Sequence, residues 1–417
     1  MRMTQGGKAI FKRGTKALLL GSIALLSATV LLSQNYSAIP EFVPGVAYTN
    51  YIIRSAPWSV HVARVSRAAR DLEFHSVHAR GKAIGLGRLT EMIQSIQPGL
   101  GRPLIGLNGD FYQRERSYAG DPRGVQIVNG DLISSPAGGA GFWVDTNARP
   151  HLANIRALFQ LQWHDGRKSS FGINEERGSS GVVLYTPDIG PSTRTSGGRE
   201  FVLARAGDSP WLPLQPGLTY RARVTEVREG GNSIVPPDKM VLSVGRTPSD
   251  IPTTVASGTE VSFLTATSPS LEGVRTAIGG GPILLLAGQK EKFTRAGSAN
   301  PESYQIKSML ERHPRSAIGW NQSAFFFVEV DGRQEISVGM TLPELADFLL
   351  RLGCSDAMNL DGGGSATFWC DGKVRNSPCD RREREIANAL ILVRHEQEGS
   401  CDSAAAPTGK REAAVTP

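Results

Sequence analysis

The sequence predicts an α+β fold in which mixed or antiparallel β-sheets dominate and helices are few. Short apolar runs rich in β-branched residues recur between residues 45 and 394, and glycine, proline, serine and aspartate separate them. The regular strand–helix alternation of a doubly wound sheet does not occur in this pattern. A length of 417 residues with 40% hydrophobic and 20% charged residues fits one large folded domain, which we place at residues 40–395.

The N-terminal segment has the charge pattern of an export signal. Five basic residues and no acidic residue precede Glu41, so most of the net charge of +7 lies in this segment and a nucleic-acid-binding surface is not indicated. The uncharged stretch 17–33 suits either a signal peptide or a short membrane anchor. We expect residues 1–38 to be one of the two, with the rest of the chain in the periplasm or outside the cell.

The first half of the chain reads mainly as strands. We predict strands at 51–53, 60–65 and 103–107, and a short helix over 91–97 that Thr90 would cap. The Asn129-Gly130 pair between two apolar runs predicts a tight hairpin. Further strands are predicted at three later apolar runs, 181–185, 201–203 and 240–244.

The second half contains the clearest helix. Thr341 and Glu344 have the spacing of a capping box, and apolar residues then recur at helical spacing until Gly353. A buried strand is expected over 354–360, directly before a glycine-rich loop. The polar segment 396–417 is predicted to be a disordered tail.

The four cysteines, Cys354, Cys370, Cys379 and Cys401, are an even number in a chain expected to be exported, which favours disulfides. Cys370 and Cys379 flank a short turn and could close a hairpin, which would leave Cys354 to pair with Cys401. The spacing does not resemble a zinc site.

The loop after the predicted strand 354–360 carries the strongest functional signal. Glycines let a ligand approach the backbone closely, and consecutive N–H groups can form an anion-binding nest. Asp361 would place an acid, base, nucleophile or metal ligand beside that nest. The candidate residues of this loop are Asn359, Asp361, Gly362, Gly363, Gly364 and Ser365. We therefore expect a site for a phosphorylated or otherwise anionic substrate.

Further polar residues stand at the ends of other apolar runs. Asn108 and Asp110 follow the strand at 103–107, and Gly280 lies in a second glycine turn. His313 and Arg315 precede the predicted strand 324–330, and a guanidinium group matches phosphate geometry.

Five segments, in their order along the chain, resemble the phosphodiester glycosidase family. This is the family of enzymes like N-acetylglucosamine-1-phosphodiester alpha-N-acetylglucosaminidase. The segments are 108–112, 278–282, 312–319, 338–342 and 359–365, and the resemblance extends over about residues 45–394. It implies a single large catalytic domain that hydrolyses the glycosidic bond of a sugar-1-phosphate diester. An envelope glycan or exopolysaccharide would be a natural substrate for an exported member.

The resemblance also suggests roles for the candidate residues. Asp361, Asp110 and His313 would be catalytic, whereas the substrate would contact Asn108, Gly280, Arg315, Asn359, Gly362, Gly363, Gly364 and Ser365. The sequence leaves open whether the configuration is retained or inverted. No cofactor is certain, and a divalent cation held by Asp110 and Asp361 is an alternative. A non-catalytic anionic-glycan-binding protein and a metal-dependent phosphodiesterase are the other functions considered.

Overall fold

The computed structural model describes residues 41–81, 84–114, 117–246, 251–252, 254–292 and 306–395. The predicted leader 1–38, the predicted tail 396–417 and Cys401 lie outside the described residues. In the described part of the chain, no helix has the length and apolar character needed to span a membrane.

Strands make up most of the regular structure. The first half contains β1 (Glu41–Val43), β2 (Val46–Ile53), β3 (Trp58–Ser66), β4 (Leu72–His78), β5 (Arg102–Asn108), β6 (Gln126–Val128), β7 (Asp131–Ser134), β8 (Ala137–Val144), β9 (Pro150–Ala157), β10 (Gln160–Gln162), β11 (Lys168–Ser169), β12 (Gly172–Ile173), β13 (Val182–Tyr185) and β14 (Arg199–Arg205). The second half contains β15 (Thr219–Glu229), β16 (Met240–Val244), β17 (Glu260–Leu264), β18 (Thr267–Ser268), β19 (Thr276–Gly280), β20 (Ile283–Leu286), β21 (Gln289–Lys290), β22 (Arg315–Trp320), β23 (Ala324–Val330), β24 (Asp356–Asn359), β25 (Phe368–Cys370), β26 (Lys373–Val374) and β27 (Asn388–Arg394).

Helices are short and few. They are α1 (Leu89–Gln94), α2 (Ile306–Leu310) and α3 (Leu342–Arg351), with single 3-10 turns at Pro98–Leu100, Pro187–Ile189 and Gly363–Ser365. Strands account for 44% of the structure and helices for 9%. The predicted predominance of sheets is confirmed, but the fold is largely β and has too few helices for a balanced α+β protein.

Four sheets carry these strands. The first has the order β1-β2-β3-β23-β22-β24-β20-β21, the second β11-β10-β17-β15-β14-β16-β13-β12, the third β18-β9-β8-β19-β6-β7 and the fourth β26-β25-β5-β27-β4. Neighbouring strands are antiparallel except β12 and β13. The predicted hairpin at Asn129-Gly130 joins β6 to β7, and both turn residues have positive φ, as such a two-residue turn requires.

The first sheet is covered on both faces. Helix α3 packs Leu345, Phe348 and Leu349 against one face, as its apolar spacing predicts. Thr341 caps this helix, and the predicted reciprocal bonds with Glu344 are both present. The fourth sheet covers the other face, where Phe327 lies in one apolar core with residues of β5, β25 and β27. The functional loop therefore leaves a rigid, fully packed sheet.

The last strand, β27, occupies an interior position of the fourth sheet. It pairs with β4 on one side and with β5 on the other, and its residues from Asn388 to Val393 are buried. Continuous burial on both faces explains its unbroken apolar sequence.

Two local predictions need correction. Helix α1 begins at Leu89, after Arg88, and not at residue 91 as predicted. Thr90 lies inside the helix and donates its hydroxyl to Glu383, so it does not act as a cap. The Cys370–Cys379 disulfide is not formed, since both are free thiols and Cys370 is buried in β25. Cys354 is also a buried free thiol.

Candidate active site

A cavity of about 580 Å³ opens at one edge of the first sheet. Antiparallel pairing brings the start of β22 beside the ends of β23 and β24, because Arg315 pairs with Val330 and Ala317 pairs with Asn359. The ends of these strands and the glycine loop after β24 therefore share one edge. Several distant segments of the chain can place side chains there.

Asp361 is the carboxylate in the wall of this cavity. Its loop is held on both sides, because the Leu360 N–H donates to the Ser316 carbonyl (2.8 Å) and the Asp361 N–H to the Gly109 carbonyl (2.9 Å). Burial raises the pKa of Asp361, while hydrogen bonds from the Ser365 side chain and the Gly362 N–H oppose that rise. This arrangement supplies a fixed, half-buried carboxyl group in the cavity wall.

Asn108 lies beneath this loop and does not line the cavity. Its amide donates to the Asp361 carbonyl at 2.7 Å, and its Oδ1 accepts from the Ser316 hydroxyl at 2.6 Å. The Thr367 N–H also donates to this Oδ1, at 3.1 Å. The predicted substrate-binding residue thus ties β5 to both ends of the glycine loop.

Asp110 is also behind the cavity wall and is 4% exposed. Its oxygens accept the Phe111 N–H at 2.7 Å and the Gly124 N–H at 2.6 Å. Burial is the main reason why its pKa rises to about 7, and the charge of Asp361 adds to the rise. The structure brings the two predicted carboxylates near each other, but only Asp361 faces the cavity.

The cavity is strongly basic. Five arginines line it, namely Arg114, Arg123, Arg315, Arg333 and Arg384. Sequence reasoning selected only Arg315 for the site, because the other four come from separate loops and follow no common motif. Arg333 faces the cavity from the loop after β23, and no described strand follows it directly.

The guanidinium of Arg315 is held by three hydrogen bonds to backbone carbonyls. Its Nε donates to the Met340 carbonyl at 2.8 Å, and its Nη2 donates to the carbonyls of Ser308 (2.7 Å) and Glu311 (2.8 Å). Burial lowers its pKa to about 10, and Arg333 contributes to this shift. The guanidinium predicted to bind phosphate therefore mainly joins β22 to helix α2 and adds positive charge beneath the cavity.

His313 lines the cavity beside Arg333. Its Nδ1 lies 3.4 Å from the Arg333 guanidinium, and its Nε2 lies 3.3 Å from Glu311. Burial, followed by the charges of Arg315 and Arg333, lowers its pKa. A neutral imidazole at pH 7 can accept a hydrogen bond from Arg333 and orient that guanidinium.

The glycine loop does not form the predicted open nest. The Gly362 N–H donates to the Asp361 carboxylate, and the Gly363 N–H donates to the Pro314 carbonyl. The glycines are needed for close packing instead: a Cβ at Gly362 would lie 2.6 Å from the Pro314 carbonyl oxygen, and one at Gly364 would lie 1.8 Å from Arg384. The arginines, and not the loop amides, supply most of the positive charge.

Of the remaining predicted residues, Gly280 and Ser365 are outside the cavity lining and Asn359 is part of it. Gly280 lies in β19, where a Cβ would come within 2.8 Å of the Asn359 carbonyl oxygen. Asn359 donates its amide to the Gly281 carbonyl at 2.8 Å, whereas its buried Oδ1 has no protein partner. That oxygen is enclosed by the surrounding protein and has almost no exposed surface.

The described residues contain two groups of three side chains that could each hold a cation. These groups are Glu73, His75 and His395, and His61, Glu329 and Asp331. Neither includes Asp110 or Asp361, and both Asp110 oxygens already accept backbone N–H groups. The residue pair suggested by the sequence is therefore a poorer candidate than either group.

One family model matches the second half of the chain. Residues 218–393 match the family described as phosphodiester glycosidase. The SPbeta prophage-derived protein YomE of Bacillus subtilis (strain 168) is 37% identical over 118 residues, which cover 26% of this chain and 18% of that protein. The N-acetylglucosamine-1-phosphodiester alpha-N-acetylglucosaminidase of Homo sapiens is 42% identical over 67 residues, covering 16% of this chain and 13% of that protein. The matched stretch thus spans less than a fifth of each relative.

Two solved structures share the fold. A protein of Synechocystis has a TM-score of 0.68 at 19% identity, with 85% of this chain and 63% of that chain covered. A protein of Burkholderia pseudomallei K96243 named as an exported protein has a TM-score of 0.61 at 18% identity, with 81% and 74% covered. The family match includes β22–β24, α3 and the Asp361 loop. Similarity to the phosphodiester glycosidase family is thus found for residues 218–393, the part of the chain that contains the candidate loop.

Proposed function

We propose that this protein hydrolyses the glycosidic bond of a sugar-1-phosphate diester, such as an N-acetylglucosamine-1-phosphate diester. One observation carries the proposal: the Asp361 carboxylate faces a cavity that five arginines line. A phosphodiester needs cationic groups at its phosphate, and cleavage at the sugar needs a carboxylate at the anomeric carbon. The family match supports glycosidase-type chemistry on phosphodiesters.

In the proposed reaction, the arginines bind the phosphate and stabilise the charge that it gains on leaving. The departing group is a phosphate monoester, which is a fair leaving group, so little proton transfer to the leaving oxygen is needed. Arg333 and Arg384 flank the glycine loop. The Arg333 guanidinium lies next to Gly363, and the Arg384 guanidinium lies next to Gly364. Their position supports contact with the phosphate near Asp361.

Asp361 would act on the anomeric carbon, either directly as a nucleophile or through an activated water molecule. Asp110 would hold the loops beside it, because its oxygens bind Phe111 and Gly124 and do not reach the cavity lining. His313 would orient Arg333. Asn359 would hold the cavity wall in place through its hydrogen bond to the Gly281 carbonyl.

The substrate would extend beyond a single sugar. A second cavity of about 480 Å³ shares Tyr112, Arg114 and Arg384 with the first. This continuation could hold the acceptor side of a phosphodiester in an envelope glycan or exopolysaccharide. The predicted leader supports a place of action outside the cytoplasm, either released or attached to the membrane through residues 1–38.

Hydrolysis of an N-acetylglucosamine-1-phosphate diester in water labelled with heavy oxygen tests the proposal. Label in the released sugar would establish cleavage of the C–O bond. Label in the phosphate would instead identify a phosphodiesterase. Tight binding of the diester without turnover would identify a glycan-binding protein, and an added chelator would show whether turnover needs a metal.

A further inference from the structure

A buried polar cluster of His61, Glu329 and Asp331 lies inside the first sheet, apart from the cavity lining. Antiparallel pairing of β3 with β23 puts His61 opposite Glu329, and Asp331 follows two residues later on the same face. The three residues are 2%, 0% and 2% exposed. Two carboxyl groups and one imidazole thus share a space from which water is largely excluded.

Ordinary hydrogen bonding does not account for the burial of the Glu329 carboxyl group. Neither carboxyl oxygen of Glu329 has a hydrogen bond of normal geometry, and only the Asn376 side chain lies close enough to stabilise its charge. Buried carboxylates normally have hydrogen-bond donors or coordinate a metal. From this geometry we propose that His61, Glu329 and Asp331 bind one divalent transition-metal cation of the Zn²⁺ or Mn²⁺ class.

The geometry suits coordination. One ligand atom from each residue lies within 4.8 Å of the other two, and His61 Nε2 is 3.1 Å from Asp331 Oδ2. Two atoms at that separation subtend about a right angle at a cation roughly 2.1 Å from each. The Ser59 hydroxyl lies 3.5 Å from His61 Nε2 and donates to Asn50. An imidazole with carboxylates favours a transition metal over Mg²⁺ or Ca²⁺.

Neighbouring groups hold the ligands in the required orientation. The Tyr48 hydroxyl lies 2.8 Å from His61 Nδ1, so a proton on Nδ1 can point to Tyr48 and leave Nε2 for the metal. The second oxygen of Asp331 accepts the Ser377 N–H at 2.7 Å. Such outer contacts are typical of metal ligands.

The cation would have a structural role at the functional site. Asp331 is two residues before Arg333, and Ser377 follows the glycine loop. Metal binding would therefore fix the base of the turn that carries Arg333 into the cavity. This inference does not depend on the reaction proposed above, because it concerns metal content and stability.

The test uses the full chain, stripped with a strong chelator and dialysed against Zn²⁺, Mn²⁺, Mg²⁺ or Ca²⁺ in turn. We expect one tightly held equivalent of Zn²⁺ or Mn²⁺ by elemental analysis, with a Tm several degrees above that of the stripped protein. Glu329→Gln should lose that equivalent. The matched control, Glu73→Gln in the other candidate cluster, should keep it.

If the stripped protein retains no metal after this dialysis and its Tm does not change, the proposal is overturned. Glu329 would then be a buried, protonated acid. Loss of the metal in Glu73→Gln but not in Glu329→Gln would overturn it as well. Should Glu329→Gln not fold, Tyr48→Phe provides a second variant. It should weaken metal affinity about 10- to 100-fold, as outer-shell changes do, and unchanged affinity would count against His61 as a ligand.

Discussion

The side-chain amide of Asn108 donates a 2.7 Å hydrogen bond to the backbone carbonyl of Asp361, which lies 253 residues further along the chain. This bond joins the end of β5 in the fourth sheet to the loop that leaves β24 in the first. The carboxylate in the cavity is therefore positioned by two sheets at once.

Asn108→Ala should weaken both the fold and the site. The substitution leaves the Ser316 hydroxyl and the Thr367 N–H without their acceptor in a buried place. We expect a loss of about 1–3 kcal/mol in the free energy of unfolding, measured by urea denaturation. Turnover should fall as Asp361 loses its support. Unchanged stability would contradict the bracing role of Asn108.

Asp361→Asn should reduce turnover of an N-acetylglucosamine-1-phosphate diester by about 10³-fold or more, because it removes the carboxylate in the cavity. Sugar release measures this effect, and a Tm close to that of the wild type would show that the fold is intact. Asp371→Asn, the same change on the turn between β25 and β26, is the control. Normal turnover in Asp361→Asn would exclude this carboxylate from catalysis.

Arg333→Gln and Arg384→Gln should each raise KM about tenfold, since each removes a charge-assisted contact to the phosphate. Added salt should weaken substrate binding to the wild type more than to either variant. Arg205→Gln, at an exposed position in β14, serves as the control for loss of one positive charge. An equal change of KM in all three variants would indicate a general effect of charge and not a phosphate site.

Gly362→Ala should destabilise the loop, because the added Cβ would meet the Pro314 carbonyl oxygen at 2.6 Å. We expect a cost of about 1–3 kcal/mol in the free energy of unfolding, as for other overpacked sites. Gly178→Ala is the matched control, since no atom lies within 4 Å of its added Cβ. Equal stabilities of the two variants would show that the loop moves freely to accept the methyl group.

Asp110 should make stability depend on pH. Its pKa rises to about 7 in the folded protein from an ordinary value of 3.8, so the folded state keeps this proton to higher pH. Its contribution is fully present below the unfolded pKa and is lost as the pH rises through about 7.

The free energy of unfolding of the wild type, relative to the non-titrating Asp110→Asn variant, should therefore fall between pH 4 and 7. The slope should approach about 1.4 kcal/mol per pH unit at most. Urea denaturation across this range measures it, with the exposed Asp208→Asn variant as control. A pH-independent difference between wild type and Asp110→Asn would mean that Asp110 is ionised throughout.

Local sequence signals predicted local structure well. The Thr341–Glu344 capping box, the apolar stripe of α3 and the Asn129-Gly130 hairpin all depend on residues within a few positions of each other, and each is present. The Asp361 loop was found for the same reason, because its glycines and carboxylate are contiguous.

The basic lining of the cavity was not predictable in this way. Arg114, Arg123 and Arg384 come from different loops, and only the tertiary fold brings them together. Arg315 was predicted to bind phosphate from its residue type, but three backbone carbonyls occupy its Nε and Nη2. The sequence also gives no sign that His61 lies 3.1 Å from Asp331, because 270 residues separate them along the chain.

The interior position of β27 has a consequence for folding during synthesis. Strand β27 lies between β4 and β5 in the fourth sheet and pairs with both. These two strands therefore lack their shared neighbour until residues 388–394 have been made. The Asn388 side chain also accepts a hydrogen bond from the Asp110 N–H. This contact behind the cavity therefore forms only after β27 has been made. A nascent chain would thus stay incompletely folded at this sheet until β27 has left the ribosome.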